Sequence, residues 1–300
     1  MSRSEASTSY RRPPRIPSAA DLPPLHERSA LAIFDEGITF LRINPGLLLG
    51  ITLLSLVPLR VASGLLPGSS LRNARPDQLI DALIGRFDTP GQVLAAFGLL
   101  VGDSFALFVV AAIYAKLAAA WFSGSAVSSS ELFSWTIRRL PRLLILWLVV
   151  HIIEGVLAVF SVGVGGLVIG VILMLAAPVS GAEDGGVWAS IKRSGRLMSS
   201  TFGRGVAVFV LVGVGGQLMR LILRALPTIL SFDRLPIPTW VISGVTDLFA
   251  TTISTSFTAA AAVVLYLDAR VRREGIDLDM AMARSFPGAV SGTLAEGSDG

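Results

Sequence analysis

Apolar and polar residues follow one another along this chain in a unit that occurs three times. Each unit has an amphipathic stretch with a basic residue, then a helix breaker (Pro45, Pro141 or Gly203), and then two long apolar runs. Only lipid or a large core accepts apolar runs of this length. Three such units predict an all-α, polytopic integral membrane protein with about six transmembrane helices. The units begin with 34-FDEGITFLRINPGLLLGITLL-53, 131-ELFSWTIRRLPRLLILWLVV-150 and 187-VWASIKRSGRLMSSTFGRGVAVFVLV-212.

The predicted spans match the roughly 20 apolar residues that cross a bilayer core of about 30 Å. The third and fourth are separated by the glycine-rich 161-SVGVGG-166 and should form a tight hairpin, and Pro178 is expected to shorten the fourth. We expect a membrane domain over 28–280 between disordered cytoplasmic tails at 1–27 and 281–300, because the tails lack apolar runs. The spans are placed at about 45–66, 93–121, 142–161, 163–180, 204–226 and 240–267.

The amphipathic stretches predict helices that lie in the plane of the lipid headgroups. The second stretch opens with Ser128 and Glu131, which have the spacing of a capping box. These helices either connect the hairpins or dock a partner, and the pattern leaves both open. In the first stretch Phe34, Ile38 and Leu41 lie opposite Asp35, Glu36 and Thr39. In the third, Val187, Trp188, Ile191, Leu197 and Met198 lie opposite Lys192, Arg193 and Arg196.

Composition strengthens the membrane prediction and excludes several kinds of site. Charged residues make up 15% of the chain and hydrophobic residues 52%, against roughly 25% charged in soluble domains. The absence of cysteine excludes disulfides and thiolate metal sites, and two histidines, His26 and His151, exclude histidine-rich metal chemistry. Positive charge carried mainly by Arg, with abundant Ala and Gly, favours a bacterial source.

The basic residues predict an orientation and a partner. Eighteen lie on the side that holds the termini and the 116–142 and 192–204 connections, and seven lie on the other side. By the positive-inside rule, both termini are expected in the cytoplasm of a bacterial cell, with the protein in the inner membrane. The larger outside loops would be 67–92 and 227–239. Because arginines flank the spans, anionic lipid headgroups are expected as partners and nucleic acid is not.

Ionisable residues inside a bilayer are costly and are therefore candidates for function. Most of those found here fall in the outer half of the predicted membrane. Three interpretations stay open: Arg–acid pairs that fix helix packing, an outward-facing polar cavity for a substrate or headgroup, and a proton or ion path through the acids. The candidates are Arg60, Asp103, His151, Glu154, Arg220, Arg224 and Asp247.

Other motifs give weaker signals. His151 and Glu154 share one helix face, but two ligands do not make a metal site, so a hydrogen bond between them is expected and no metal or other cofactor. Gly166 and Gly170 have the spacing of a close helix approach. The hydroxyls of 251-TTISTSFT-258 either bond back to the helix backbone or line a polar track. P-loop, HExxH and G-x-S-x-G motifs are absent, so no enzymatic activity is expected.

The end of the last span, 265-LYLDARVRREGIDL-278, resembles the C-terminal signature of a bacterial membrane-domain family. The family is named for its fusion, in some members, to glycerophosphoryl diester phosphodiesterases. The stretches 42-RINPGLLLG-50 and 177-APVSGAEDGGVWASIKRSGRLM-198 also resemble it. The resemblance implies a six-span helical protein with cytoplasmic amphipathic connectors, like the family's free-standing, functionally uncharacterised members. It does not imply phosphodiesterase activity, which belongs to a separate barrel domain.

Within this motif the charges suit the end of a span. Asp268 and Glu274 have spacings that allow them to pair with the arginines, and Gly275 is expected to end the helix. A basic anchor at the cytoplasmic headgroups is predicted for Arg270, Arg272 and Arg273.

These observations lead to two functional expectations. The first is a non-enzymatic membrane component that binds lipid or a partner protein as a scaffold or assembly factor. The alternative is a transporter or channel built around the polar residues of the outer half. An accessory role for a separately encoded envelope enzyme rests on the family analogy alone.

Overall fold

The computed structural model describes residues 28–64, 90–230 and 239–276, and nearly all of them are helical. The predicted tails at 1–27 and 281–300, and most of the predicted loops 67–92 and 227–239, lie outside the described residues. The helices are α1 (Ala30–Ile43), α2 (Pro45–Gly64), α3 (Pro90–Phe122), α4 (Ser129–Phe160), α5 (Val164–Leu173), α6 (Ala176–Ala182), α7 (Val187–Ser199), α8 (Phe202–Ile229) and α9 (Thr239–Glu274).

Several of these helices are long and apolar enough to cross a bilayer. Among the described residues, five segments meet this condition by themselves, and α1 joined to the first part of α2 gives a sixth, although the pair is bent by 96°. The chain is therefore an all-α polytopic membrane protein, as the hydropathy pattern predicted. The five segments are Leu100–Phe122, Ser129–Phe160, Val164–Ala182, Phe202–Pro227 and Gly244–Glu274.

Local signals in the sequence set several helix ends. The Ser128 hydroxyl accepts a hydrogen bond from the backbone N–H of Glu131 at 3.2 Å, so the first half of the predicted capping box is present. Pro45 is the first residue of α2, a position where its missing N–H costs nothing. Gly275 has a φ of +64° and ends α9, as predicted.

The predicted break at Pro141 is wrong. Pro141 lies inside α4, which continues from Ser129 to Phe160, so the second amphipathic stretch is not a separate surface helix. Leu132 before the proline and Leu143 after it are both buried in the same core. Packing on both sides therefore outweighs the one backbone hydrogen bond that a proline removes from a helix.

The fourth span is broken rather than shortened. The α5 and α6 helices meet at a turn over Met174 and Leu175, and Pro178 lies inside α6. A proline cannot donate to the carbonyl four residues before it, which here is that of Met174. At the same break the Ser194 hydroxyl of α7 donates to the carbonyl oxygen of Ile172 at 2.7 Å. The two helices together are still long enough to span the membrane.

The predicted hairpin between the third and fourth spans is confirmed. The turn over 161–163 places Gly163 at a φ of +90°, which favours glycine. A Cβ on Gly166 would lie 2.6 Å from the Cβ of Ala158, so the two helices approach as closely as the glycine spacing predicted.

The α1 helix belongs to the bundle, whereas the sequence predicted a helix in the headgroup plane. Its predicted polar residues Asp35 and Thr39 are exposed. Its other side packs against the middle of α9, where Phe34 meets Phe257 at a ring distance of 4.8 Å. A Cβ on Gly37 would lie 3.3 Å from the backbone of Ala261. This close packing explains why the helix cannot float beside the spans.

The core lies between α3, α6 and α9. The closest backbone approach is at Gly181 of α6, where a Cβ would lie 1.9 Å from the carbonyl oxygen of Ala112 in α3. A run of small buried residues in α9, including Ala259, Ala260 and Ala261, allows similar proximity on the other side.

Candidate functional site

Five of the ionisable residues that the sequence placed inside the membrane meet in one ion-pair network. We call Arg60, Asp103, Arg220, Arg224 and Asp247 the Asp247 network. Arg60 donates to Asp247 and to Asp103, each at 2.7 Å. Arg220 donates to Asp103 at 3.1 Å, and Arg224 pairs with Asp247. The network joins α2, α3, α8 and α9.

The network contains three arginines and two aspartates, and its side chains are 13–28% exposed. Mutual pairing lowers the cost of holding these charges away from water. This is the arrangement that the packing interpretation expects. The Nε atoms of Arg220 and Arg224 are buried and have no hydrogen-bond partner among the described residues.

His151 and Glu154 do not join this network, and the hydrogen bond expected between them is not formed. The His151 Nε2 atom lies 2.7 Å from the Ser104 hydroxyl oxygen, and Nδ1 lies 2.9 Å from the Trp147 carbonyl oxygen. The Glu154 carboxylate is 3.9 Å from Nε2, beyond hydrogen-bond distance. The His151 ring bonds to Ser104 instead, because Ser104 lies on the side of α3 that faces α4. Within the described ranges no three His, Asp or Glu side chains are placed to hold a metal ion.

The hydroxyls of the 251–258 run bond to backbone and to neighbouring helices. Ser254 donates to the Gly216 carbonyl of α8 at 3.1 Å, and Thr258 donates to the Ser254 carbonyl at 2.9 Å. Ser256 donates to the Thr52 hydroxyl of α2 at 2.8 Å. The Ser254 and Ser256 contacts hold α9 between two spans, and Thr258 bonds back to its own helix as one of the two interpretations expected.

A second network surrounds Asp268, near the C-terminal end of α9. The Asp268 side chain is fully buried, and its Oδ1 accepts the backbone N–H of Arg28 at 2.7 Å. Arg272 donates from Nε to Oδ2 at 3.1 Å, and Arg204 of α8 lies 3.5 Å from the same oxygen. Arg272 also donates to the Arg28 carbonyl at 2.9 Å. The carboxylate thus fixes α8, α9 and the residues before α1 to one another.

At the same end of α9, Arg193 of α7 links two acids. Its guanidinium donates to Glu183 at 3.1 Å and pairs with Glu274. The hydrogen bond with Glu274, with further contributions from Glu183, raises the pKa of Arg193 above its usual value. Tyr266 donates to Glu183 at 3.0 Å, and Arg270 donates to Glu274 at 2.9 Å. These five residues and the group of Arg28, Arg204, Asp268 and Arg272 meet at the same end of α9, and we call the nine residues together the Asp268 network.

The C-terminal motif is therefore engaged within the protein. The pairs that its spacing allowed, Asp268 with Arg272 and Arg270 with Glu274, are present. Arg273 bonds to the backbone of α7 and to the Ser199 hydroxyl. Of the predicted basic surface, Lys192 and Arg196 are exposed on α7, whereas the motif arginines and Arg193 have intramolecular partners.

An open pocket of about 390 Å³ lies next to the Asp268 network, at the junction of α7 and α8. Two of the residues that line it are arginines. Its lining consists of Ser200, Thr201, Phe202, Gly203, Arg204 and Arg272.

Arg28, Glu183 and Arg204 were missed by sequence reasoning. Their partners are far away along the chain, and Arg28 meets a residue 240 positions later. Hydrophobic periodicity contains no signal for such pairs. Glu183 precedes α7, which begins at Val187, and its carboxylate turns to Arg193.

Two further arginines, on the N-terminal part of α4, were also missed. Arg139 pairs with Asp184 in the linker between α6 and α7, and its guanidinium carbon lies 5.7 Å from the Trp135 ring centre. Arg142 follows one turn later. The Nη1 atom of Arg139 and the Nε and Nη2 atoms of Arg142 are buried, and none has a hydrogen-bond partner in the part of the chain that the structure describes.

Comparisons of the chain with models of known protein families, with curated proteins and with solved structures find no match. The family resemblance of the C-terminal motif therefore stays a prediction.

Proposed function

We propose that this chain is a non-enzymatic integral membrane protein that binds anionic lipid headgroups and acts as a scaffold at one membrane surface. The observation that supports the proposal is the difference between the charges inside the spans and the charges on the surface of α7. The five charges of the Asp247 network are paired inside the spans, whereas α7 presents an exposed line of Trp188, Lys192 and Arg196 at intervals of four residues. Trp188 therefore lies on the basic side of α7, and the prediction that placed it opposite Lys192 and Arg196 is wrong. An aromatic and basic helix face of this kind suits the interface between lipid and water.

The same surface supports the proposed location. Arg28, the 183–186 linker and the end of α9 lie together through the Asp268 network, and we call this the basic end of the bundle. The positive-inside rule places this end in the cytoplasm of a bacterial cell, with the chain in the inner membrane. Membership of the phosphodiesterase-associated membrane family would agree with this location, and a docked protein partner is compatible with the same face.

A transporter or channel is the second candidate. The observation that favours it is the surplus of arginine over aspartate in the Asp247 network, together with the partial exposure of its side chains. An anion that entered from the end opposite the basic end would balance that charge.

The two candidates are separated by reconstituting the full chain in liposomes. Preference for anionic over neutral lipid is measured by quenching of tryptophan fluorescence with brominated phosphatidylglycerol and brominated phosphatidylcholine. Uptake of small anions and of protons is measured on the same liposomes. One variant reverses the exposed charges of α7 (K192E/R196E), and the other neutralises a pair in the Asp247 network (D103N/R220Q).

For a scaffold, K192E/R196E lowers the preference for anionic lipid, since each basic residue near an anionic surface contributes about 1 kcal/mol. D103N/R220Q retains that preference, and the wild type shows no uptake above empty liposomes. Anion or proton uptake that D103N/R220Q abolishes would instead establish the transporter and remove the scaffold proposal.

A further inference from the structure

The N-terminal part of α4 carries arginines about one bilayer core away from the other end of the helix. Arg142 and Phe160 lie on the same uninterrupted helix, eighteen residues apart. At 1.5 Å per residue this separation is about 27 Å, close to the thickness of a bilayer core. Placing Phe160 at one boundary of the core puts Arg142 near the opposite boundary, at the basic end, where Arg139 pairs with Asp184.

The hydrogen-bond donors of this region are incompletely used. Arg139 and Arg142 are three residues apart, so their side chains emerge on the same side of the helix. Together they hold three buried N–H-bearing nitrogens without a hydrogen-bond partner among the described residues. A buried donor left without an acceptor costs roughly the free energy of its lost solvation. An oxyanion is the acceptor that matches two guanidinium groups.

Positive charge also exceeds negative charge around these donors. Arg138, Arg139 and Arg142 occur within five residues, and Arg138 donates to the Ser134 carbonyl of its own helix. Asp184 is the acid that pairs with Arg139, but its side chain is 94% exposed, so water screens that pair strongly.

We propose that Arg139 and Arg142 bind the phosphate group of an anionic phospholipid in the leaflet at the basic end. The proposal deepens the proposed function and rests on it, because it adds one defined lipid site to a surface that attracts anionic lipid generally. Trp135, which lies under the Arg139 guanidinium, has the amphipathic ring typical of this depth. The exposed apolar side chains of Leu144, Ile145 and Leu148 follow along α4, where the acyl chains of such a lipid would lie.

The test measures lipid retained by the full chain in detergent. Native mass spectrometry counts bound phosphatidylglycerol and phosphatidylcholine during titration of each lipid. The site variant is R139Q/R142Q, which removes two charges, and the control is R138Q, which removes one charge from the neighbouring position. R142K keeps the charge but loses the planar fork, and a thermal unfolding midpoint is recorded for every variant.

The wild type is expected to retain one phosphatidylglycerol more tightly than the rest. R139Q/R142Q weakens that first binding step roughly thirtyfold, since each arginine near the phosphate contributes about one tenfold step or slightly less. R138Q changes it by less than a factor of about two, below the roughly fivefold change that one general charge would give, and R142K falls between the two. If R139Q/R142Q does not fold, the comparison of R142K with R138Q alone decides the question.

A loss of about fivefold or more in R138Q would overturn the proposal, because the loss per charge would then equal that of R139Q/R142Q and the effect would be general charge rather than a site. Release of the lipid by an excess of inorganic phosphate, with phosphate bound in its place, would show a free-anion site and overturn the lipid assignment. If R139Q/R142Q has no effect but K192E/R196E still lowers the preference for anionic lipid, the defined site fails and the proposed function stands. If neither variant changes lipid binding, both fail.

Discussion

Asp247 and Asp268 lie on one uninterrupted helix, twenty-one residues apart, and each is the centre of an ion-pair network. At 1.5 Å per residue the two carboxylates are about 31 Å apart along α9, which is the thickness of a bilayer core. The networks therefore suit the two edges of the core rather than its middle. That depth reduces the desolvation cost of the Asp247 network and is consistent with its partial exposure.

Replacing Asp268 by asparagine is expected to lower the free energy of unfolding by about 3 kcal/mol. The change removes a fully buried carboxylate and leaves Arg204 and Arg272 without their shared acid. The thermal unfolding midpoint of the purified full chain measures the loss. D35N is the control, since Asp35 is exposed on α1. Equal midpoints for D268N and D35N would contradict the central role given to Asp268.

In the Asp247 network the order of two substitutions is predicted from charge balance. D247N leaves three arginines facing one aspartate, whereas R224Q leaves two of each. D247N should therefore destabilise the protein more than R224Q, by roughly 1–2 kcal/mol. Chemical unfolding in lipid nanodiscs gives both values. The reverse order would show that the surplus positive charge is balanced by a group outside this network.

Gly181→Ala is expected to destabilise the protein by more than about 2 kcal/mol, because the new methyl group would overlap the Ala112 carbonyl of α3. Gly50→Ala is the matched change, since a Cβ there meets nothing within 4 Å. G50A should leave the unfolding midpoint unchanged or raise it slightly, because alanine favours helix. The size of the difference between the two variants reports how tightly α6 packs on α3.

The proposed orientation is tested by labelling thiols. The sequence has no cysteine, so S125C and V162C each introduce the one thiol of its variant. Ser125 follows α3 in an exposed loop, and Val162 is 95% exposed in the turn after α4. A membrane-impermeant maleimide added to intact spheroplasts should label V162C at once and S125C only after permeabilisation. The opposite pattern would place the basic end outside the cell.

The spans could be predicted from the sequence because hydropathy is a local property. The same reasoning failed at Pro141, since the packing of Leu132 and Leu143 that keeps α4 continuous is not visible in a local pattern. It also placed α1 at the surface, because an amphipathic helix looks alike whether its apolar side meets lipid or another helix.

The residues of the candidate site could be predicted from the sequence better than the contacts between them. The cost of placing a charge inside a bilayer identified Asp103, Asp247 and their arginines as candidates. It did not show which of these residues contact each other. For the C-terminal motif, spacing predicted the Asp268–Arg272 pair within one helix turn. It could not predict Arg28, because that contact depends on how the first and last helices come together.

The break in the fourth span has a consequence for biosynthesis. The carbonyl of Ile172, next to the turn between α5 and α6, receives its hydrogen bond from Ser194, which the ribosome adds twenty-two residues later. Lipid offers no donor for a carbonyl left open in this way. The nascent fourth span is therefore expected to stay at the translocon until α7 has been synthesised and has packed against it. The hairpin of the third and fourth spans would then enter the lipid only after this delayed release.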